Sequence, residues 1–176
     1  MKGITFIGMS GSGKSSVGAR LAMQIGWKFV DLDKLILEKQ SATHHEIMQR
    51  FGEEGLKALE EQYTLELDFA NTVFAPGGSL VYSQLAMEKA KDESTLIYLR
   101  VPPRIIESRL GDRLHRNGIV GLEEKGLAGV MAERIPLYEG YADYVFDSEM
   151  QSVQEMAEKI ITTLRSRGLD FPYAVS

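Results

Sequence analysis

Short runs of apolar residues alternate along the chain with longer amphipathic stretches. Four runs are typical of buried β-strands, and a weaker fifth follows them: 4–7, 28–31, 72–75, 95–99 and 144–146. A helix from about Lys14 to Ile25 lies between the first two runs. Near-continuous apolar strands separated by helices indicate a parallel sheet, because right-handed crossovers place helices on both of its faces. The pattern therefore predicts a three-layer α/β fold.

Further helix starts carry their own signals, and one segment breaks the pattern. Residues 43–46 (THHE) and 152–155 (SVQE) match the capping box, which satisfies two backbone donors at a helix start. Another helical stretch is expected to begin near Glu53. Between residues 111 and 125 the apolar periodicity fails and Gly, Arg, Asp and Asn accumulate. This composition favours a mobile loop.

Length and composition narrow the class of protein. The 176 residues are expected to form one domain, 1–176. Twenty Lys and Arg against 25 Asp and Glu give a formal charge of −5, which argues against nucleic-acid binding. The absence of Cys excludes disulfides, thiolate metal sites and a Cys nucleophile. No apolar run approaches the ~20 residues of a membrane span, and the start lacks a signal-peptide pattern. A cytoplasmic enzyme or binding protein is therefore expected, with no membrane partner.

The strongest chemical signal is residues 8–15 (GMSGSGKS), which match the phosphate-loop pattern G-x-x-x-x-G-K-[ST]. The match lies after a buried strand and opens a helix, whose N-terminus favours anions. Lys14 would reach the β- and γ-phosphates, and Ser15 would bind Mg²⁺. The chain is thus predicted to bind a nucleoside triphosphate through Gly11, Ser12, Gly13, Lys14, Ser15 and Ser16.

Carboxylates after the second strand are the candidates for chemistry beside this loop. The guanine-reading tetrapeptide N-K-x-D is absent, and the third strand ends at Pro76 without an acid. A carboxylate that holds the metal must therefore come from elsewhere, and Asp31 and Asp33 at the end of the second strand can supply it. Both would lie at the carboxyl edge of the sheet, where ligands bind in open α/β folds. The alternative for each is helix capping. Gly77 and Gly78 follow the third strand and would allow close backbone approach to a ligand.

The order of these motifs resembles the shikimate kinase family from about Gly3 to Leu164. The motifs are the phosphate loop, 29–33 (FVDLD), 52–60 (GEEGLKALE), 76–78 (PGG) and 133–138 (ERIPLY). The resemblance implies a P-loop kinase fold with strand order 2-3-1-4-5, an acceptor-binding region at about 31–62 and a lid at about 111–125. It also implies transfer of the γ-phosphate of ATP to the 3-hydroxyl of shikimate, in aromatic amino acid (chorismate) biosynthesis.

The resemblance also implies roles for individual residues. Asp31 would support Mg²⁺ through water, and Asp33 would hold the hydroxyl groups of the acceptor. Lys57 and Arg134 occupy the positions of two arginines that bind the substrate carboxylate. Gly77 and Gly78 would contribute backbone donors.

Two further arginines are assigned to the nucleotide side. In the lid, Arg116 would touch the transferred phosphate, with Arg113 as the reserve. Arg104 and Arg109 both lie between the fourth strand and the lid, and Arg109, which is closer to the lid, is the candidate for the adenine side. The expected partners are ATP and a small hydroxy acid, bound by a monomer.

Three positions depart from the family pattern. Lys57 replaces an arginine and cannot form the planar two-bond contact with a carboxylate. Ser79 replaces a third glycine, and the lid segment 116–122 (RNGIVGL) lacks the usual Arg-Pro-Leu-Leu. These changes keep two alternatives open. One is a kinase of the same fold acting on a gluconate-like, hydroxy amino acid or nucleotide acceptor, and the other is a nucleotide-binding regulator without turnover.

Overall fold

A five-stranded parallel sheet forms the centre of the protein. The computed structural model describes residues 2–111, 119–149, 151–169 and 171. The strands are β1 (Gly3–Ile7), β2 (Lys28–Asp31), β3 (Thr72–Ala75), β4 (Ser94–Arg100) and β5 (Tyr144–Asp147). Their order is β2-β3-β1-β4-β5, and each neighbouring pair is parallel. The predicted fold class and strand order are confirmed.

Seven helices of the described residues surround the sheet. They are α1 (Lys14–Ile25), α2 (Leu32–Gln40), α3 (His44–Glu66), α4 (Gln84–Glu93), α5 (Pro103–Leu110), α6 (Leu122–Tyr141) and α7 (Val153–Ser166), and a short 3₁₀ turn spans Leu80–Tyr82. Both predicted capping boxes are present, at Thr43 and Ser152. The predicted loop 111–125 is too long at its end, because Leu122 is buried and begins α6. None of these helices is long and apolar enough to cross a membrane.

The core has two halves, one on each face of the sheet. Neighbouring strand residues point to opposite faces, so Val73 packs on one side and Phe74 on the other. The side of Val73 is covered by α1 and α7, and the larger opposite side is covered mainly by α3 to α6. The sheet is therefore buried between two layers of helices.

The strand register brings these loops together. Ile7 of β1 is paired with Tyr98 of β4, and Asp31 of β2 is paired with Ala75 of β3. The phosphate loop, the Asp31–Asp33 segment and the glycines after β3 therefore leave the same edge of the sheet. This edge is where ligands bind in open α/β folds.

Helix α3 bends sharply at Gly52, where φ is 64° and ψ is −171°. This conformation is essentially restricted to glycine. The bend starts a second helical stretch at Glu53, as predicted, and lets the carboxylate of Glu53 accept a 2.9 Å hydrogen bond from the backbone N–H of Gly121. Gly52 thus allows the hydrogen bond that connects α3 to the residue preceding α6.

Replacing Gly52 by Ala is expected to lower the free energy of unfolding by about 1–3 kcal/mol, the cost of a strained backbone conformation. Urea unfolding measures this loss. Gly140→Ala is the matched control, because Gly140 is an exposed position in α6 with open space around it. Alanine there should raise the free energy of unfolding by up to about 1 kcal/mol. Equal midpoints for Gly52→Ala and the unmodified protein would contradict the assignment of the bend to Gly52.

Candidate active site

Two adjoining cavities open at the carboxyl edge of the sheet. The phosphate-loop cavity has a volume of about 510 Å³ and is lined by residues 10–17 together with Asp33, Arg109 and Ser148. The Arg134 cavity is about 30 Å³ and is lined by Ser10, Asp33, His44, Leu56, Glu60, Gly77, Gly78, Ser79, Ile119, Val120 and Arg134. Ser10, Asp33 and Gly78 line both cavities. The larger volume suits a small-molecule ligand, whereas the smaller one must expand to admit more than water.

Lys14 is buried at the base of the phosphate-loop cavity. Its Nζ donates to the carbonyl oxygens of Gly8 at 2.8 Å and Met9 at 2.9 Å. Burial lowers the pKa of Lys14 to about 8, against the opposing influence of nearby Asp33. The buried hydroxyl of Ser12 has no partner in the described residues. The loop thus presents a cation and an unused hydroxyl group to a ligand.

Arg109, at the end of α5, forms hydrogen bonds with the phosphate loop. Its guanidinium donates to the carbonyl oxygens of Gly11 at 3.2 Å, Ser12 at 3.4 Å and Ser148 at 2.9 Å. Arg109 therefore lies on the wall of the phosphate-loop cavity, between the loop and the segment after β5.

Asp31 and Asp33 occupy different positions at the start of α2. Asp31 caps α2, and its Oδ1 accepts a 3.2 Å hydrogen bond from the backbone N–H of Lys34. Asp33, in the first turn of α2, lines both cavities. Burial raises the pKa of Asp33 above its ordinary value, and Lys14 counteracts part of that increase. Asp33 is thus a carboxylate at the junction of the two cavities, opposite a buried ammonium group.

Arg134 is a buried cation at the centre of the smaller cavity. It is 1% exposed, and its Nη2 donates to the carbonyl oxygen of Val120 at 2.8 Å. Its guanidinium also stacks on the ring of Tyr82, 5.1 Å from the ring centroid. In the part of the chain that the structure describes, no carboxylate lies within ion-pair distance of Arg134. A buried charge is costly without a counter-ion, so the position favours an anionic ligand.

Gly77 and Gly78 form the wall between β3 and Arg134. A side chain at Gly77 would collide with the carboxylate of Glu60 and lie 3.0 Å from that of Asp33. The carbonyl oxygen of Gly78 accepts a 2.6 Å hydrogen bond from the hydroxyl of buried Tyr138. Glycine is therefore required at Gly77 for the two carboxylates to approach the backbone.

Glu60 and Ser79 belong to this site, although sequence reasoning gave neither a binding role. Glu60 is 2% exposed, and Ser79 donates a 2.7 Å hydrogen bond to its Oε2. Burial raises the pKa of Glu60 to about 7, and the hydrogen bond from Ser79 opposes this increase. Two features of the sequence could have identified them as site residues. Glu60 lies in segment 52–60, and Ser79 directly follows the two glycines.

The remaining residues considered in the sequence analysis differ in their position relative to the Arg134 cavity. Lys57 pairs with exposed Glu54 and does not line the Arg134 cavity. His44, expected to serve the helix start, lines that cavity with a buried Nδ1 that has no partner in the described residues. The predicted lid residues Arg116 and Arg113 lie outside the described residues.

The fold and this edge of the sheet define a P-loop kinase, a phosphotransferase that uses a nucleoside triphosphate. The family model for shikimate kinase matches residues 10–165. A shikimate kinase of Thermodesulfovibrio yellowstonii is 34% identical over 163 residues, covering 92% of this chain and 94% of that protein. The chain belongs to the shikimate kinase family.

Solved structures agree with this assignment. A shikimate kinase from Acinetobacter baumannii in complex with shikimate superposes with a TM-score of 0.87 at 28% identity, covering 97% of this chain and 96% of that one. The shikimate kinase of Aquifex aeolicus gives a TM-score of 0.78 at 24% identity, over 93% and 96% of the two chains, and this likeness shows the shared fold. The resemblance that the motifs indicated is confirmed over most of the chain.

Glu60→Gln is expected to stabilise the protein at alkaline pH but not at acid pH. Burial raises the pKa of Glu60 from 4.5 to about 7, so between these values the native state binds more protons than the unfolded state. The contribution of Glu60 to stability is therefore full below pH 4.5 and is lost as pH rises through about 7, a difference of about 3 kcal/mol. Urea unfolding of both proteins across this window measures it. A stability difference that does not change with pH would contradict the assignment.

Proposed function

We propose that the protein is a shikimate kinase, which transfers the γ-phosphoryl group of ATP to the 3-hydroxyl of shikimate. The observation that carries this proposal is Arg134, a buried cation without a carboxylate partner in the described residues, beside a carboxylate that faces both cavities. The acceptor would place its carboxylate on Arg134 and its hydroxyl on Asp33. The structure of the Acinetobacter baumannii relative in complex with shikimate supports the same class of acceptor.

The reaction is an in-line displacement at the γ-phosphorus. The acceptor oxygen forms a bond to phosphorus as the bond to the β,γ-bridging oxygen breaks, and ADP leaves. Lys14 and the loop amides stabilise charge on the transferred group, and catalysis is mostly positioning. Asp33 orients the hydroxyl and accepts its proton late. The raised pKa of Asp33 suits that acceptance. In this proposal Arg116 touches the transferred phosphate and Arg109 the adenine side.

Backbone groups at the end of β3 complete the acceptor contacts that we propose. Gly77 and Gly78 would offer donors to the acceptor, since both line the Arg134 cavity. A side chain at Gly78 would lie 3.0 Å from Nη1 of Arg134, so a ligand on the guanidinium also reaches this backbone. These contacts would fix the ring of the acceptor between Arg134 and Asp33.

Mg²⁺ is part of the proposal, with Ser15 and Asp31 as the residues that would hold it. A hydroxyl and a carboxylate are oxygen donors of the kind Mg²⁺ prefers, and Mg²⁺ takes its remaining ligands from phosphates and water. The described residues contain no group of three or more His, Asp or Glu that could hold a metal ion by themselves. Bound Mg²⁺ neutralises phosphate charge.

ADP formation with shikimate, measured beside gluconate, a hydroxy amino acid and a nucleotide, tests the proposed acceptor. We expect shikimate to give the highest kcat/KM. Lys57→Arg, run in parallel, tests the departure from the family pattern. Faster turnover of another acceptor, with shikimate turnover created by Lys57→Arg, would overturn the proposed substrate and keep the kinase. ATP binding without turnover of any acceptor would indicate a regulator.

Asp33→Asn is expected to lower kcat about 10²- to 10⁴-fold, because it removes the group that accepts the proton. The KM for ATP should change little, and steady-state kinetics separate the two constants. Asp92→Asn provides the control, since Asp92 is exposed in α4 near the opposite edge of the sheet. Near wild-type kcat in Asp33→Asn would show that this carboxylate does not take part.

Arg134→Lys should raise the KM for shikimate about tenfold to a hundredfold, because losing a charge-assisted hydrogen bond costs about 1.5–3 kcal/mol. Lys57→Ala should change it less than about fivefold, since Lys57 pairs with Glu54 and does not line the Arg134 cavity. The same kinetic assay measures both variants. Equal increases would mean that Lys57 leaves Glu54 and joins Arg134 on the acceptor, as the family resemblance implies.

A further inference from the structure

Glu60 is a buried carboxylate whose one hydrogen-bond partner in the described residues is the hydroxyl of Ser79, which donates to its Oε2 at 2.7 Å. No cation of these residues lies within ion-pair distance of it, and Lys57, on the preceding turn of α3, pairs with Glu54. The carboxylate is therefore held by a neutral group, which leaves it free to take up a proton.

Glu60 and Ser79 separate two spaces. Both line the Arg134 cavity, and both also line an outer pocket of about 270 Å³ that contains Lys57. Protons from the solvent can reach the carboxylate through this outer pocket. On its inner side, the carboxylate lies beside Gly77, where a side-chain carbon would collide with Oε1 of Glu60 and lie 3.0 Å from Oδ1 of Asp33.

The charge of Glu60 decides how the Arg134 cavity receives an anion. An ionised Glu60 would add a second carboxylate next to Asp33 and repel the acceptor carboxylate held by Arg134. A protonated Glu60 would remove this repulsion and present an O–H donor. The two forms therefore differ in affinity for an anionic acceptor.

We propose that Glu60 and Ser79 form a proton-dependent specificity device: the anionic acceptor binds the form in which Glu60 is protonated, and Ser79 sets the pH at which that form is lost. The device rests on the proposed function, because it needs an acceptor carboxylate at Arg134. Glu60 touches the acceptor, and Ser79 is a positioning residue that acts through it.

Charged and titratable groups face Glu60 from each neighbouring element. They are Lys14 of α1, Asp33 of α2, His44, Glu54, Lys57 and Glu61 of α3, Tyr82 of the 3₁₀ turn and Arg134 of α6. Burial and Asp33 raise the pKa of Glu60, while Ser79, Arg134 and Lys14 lower it, with a result of about 7. Loss of the protonated form thus falls near neutral pH.

The test is the pH dependence of the KM for shikimate at saturating ATP, between about pH 5.5 and about pH 8.5. We expect the KM to rise about tenfold per pH unit above an inflection near 7. In Glu60→Gln, which stays neutral and keeps an acceptor for Ser79, this inflection should disappear. In Ser79→Ala the ionised form loses its hydrogen bond, so the inflection should move to higher pH and the KM at pH about 8 should fall. Ser79→Thr keeps the hydroxyl and should restore the original profile.

A control variant distinguishes titration of Glu60 from titration of a neighbouring group. His44→Gln should keep the inflection, and its loss in that variant would assign the titration to His44 and overturn the proposal. A wild-type KM that does not depend on pH, or an inflection that persists in Glu60→Gln, would overturn it as well. A pH dependence of kcat without a pH dependence of the KM would assign the titration to Lys14 or Asp33 and would count against the proposal. Absence of shikimate turnover at every pH would overturn the proposed function and this inference together.

Discussion

Burial of opposite charges at one edge of the sheet is the constraint on which the site depends. Lys14, Asp33, Glu60 and Arg134 come from four different helices, and each is shielded from water by the elements around it. Ionised groups can be buried at acceptable cost when they compensate one another or change protonation. The helices must therefore pack closely enough to bring these groups together, yet leave room for two substrates.

Not every buried charge in this site is compensated by an opposite charge among the described residues, and the uncompensated one indicates what the site binds. Lys14 is satisfied by two backbone carbonyls and by the field of Asp33, whereas Arg134 has carbonyl and hydroxyl partners but no carboxylate among the described residues. Glu60 responds by an increase in its pKa. A site with one cation uncompensated and one acid easily neutralised is arranged for a ligand that brings a negative charge.

Much of the fold could be predicted from sequence, because the relevant signals are local. The strands are short apolar runs bounded by polar residues, and Thr43 and Ser152 mark helix starts by their own hydrogen bonds. The phosphate loop is equally local, since its glycines, lysine and serine are consecutive. The end of the predicted loop was wrong because Leu122 is buried in the larger core cluster, most of whose members are distant in sequence.

The acceptor side of the site was less predictable for the same reason. Whether Glu60 points inward and Lys57 outward depends on the rotation of α3 after its bend at Gly52, which no spacing of residues reveals. His44 shows the same limitation: a residue at a helix start became part of a cavity because α2 and α3 pack together. Motif order identified the family, whereas the direction of individual side chains required the tertiary structure.

The hydrogen bond from Arg134 to the carbonyl oxygen of Val120 has a thermodynamic consequence. Val120 lies just before α6, so this carbonyl acts as an internal competitor for the guanidinium. A ligand gains only the difference between its own interaction and the one it displaces, and a neutral ligand offering a carbonyl or hydroxyl oxygen gains almost nothing. A carboxylate gains more, because charge-assisted hydrogen bonds are roughly twice as strong. At Arg134, exchange of hydrogen-bond partners therefore favours a carboxylate over an uncharged hydroxyl or carbonyl group.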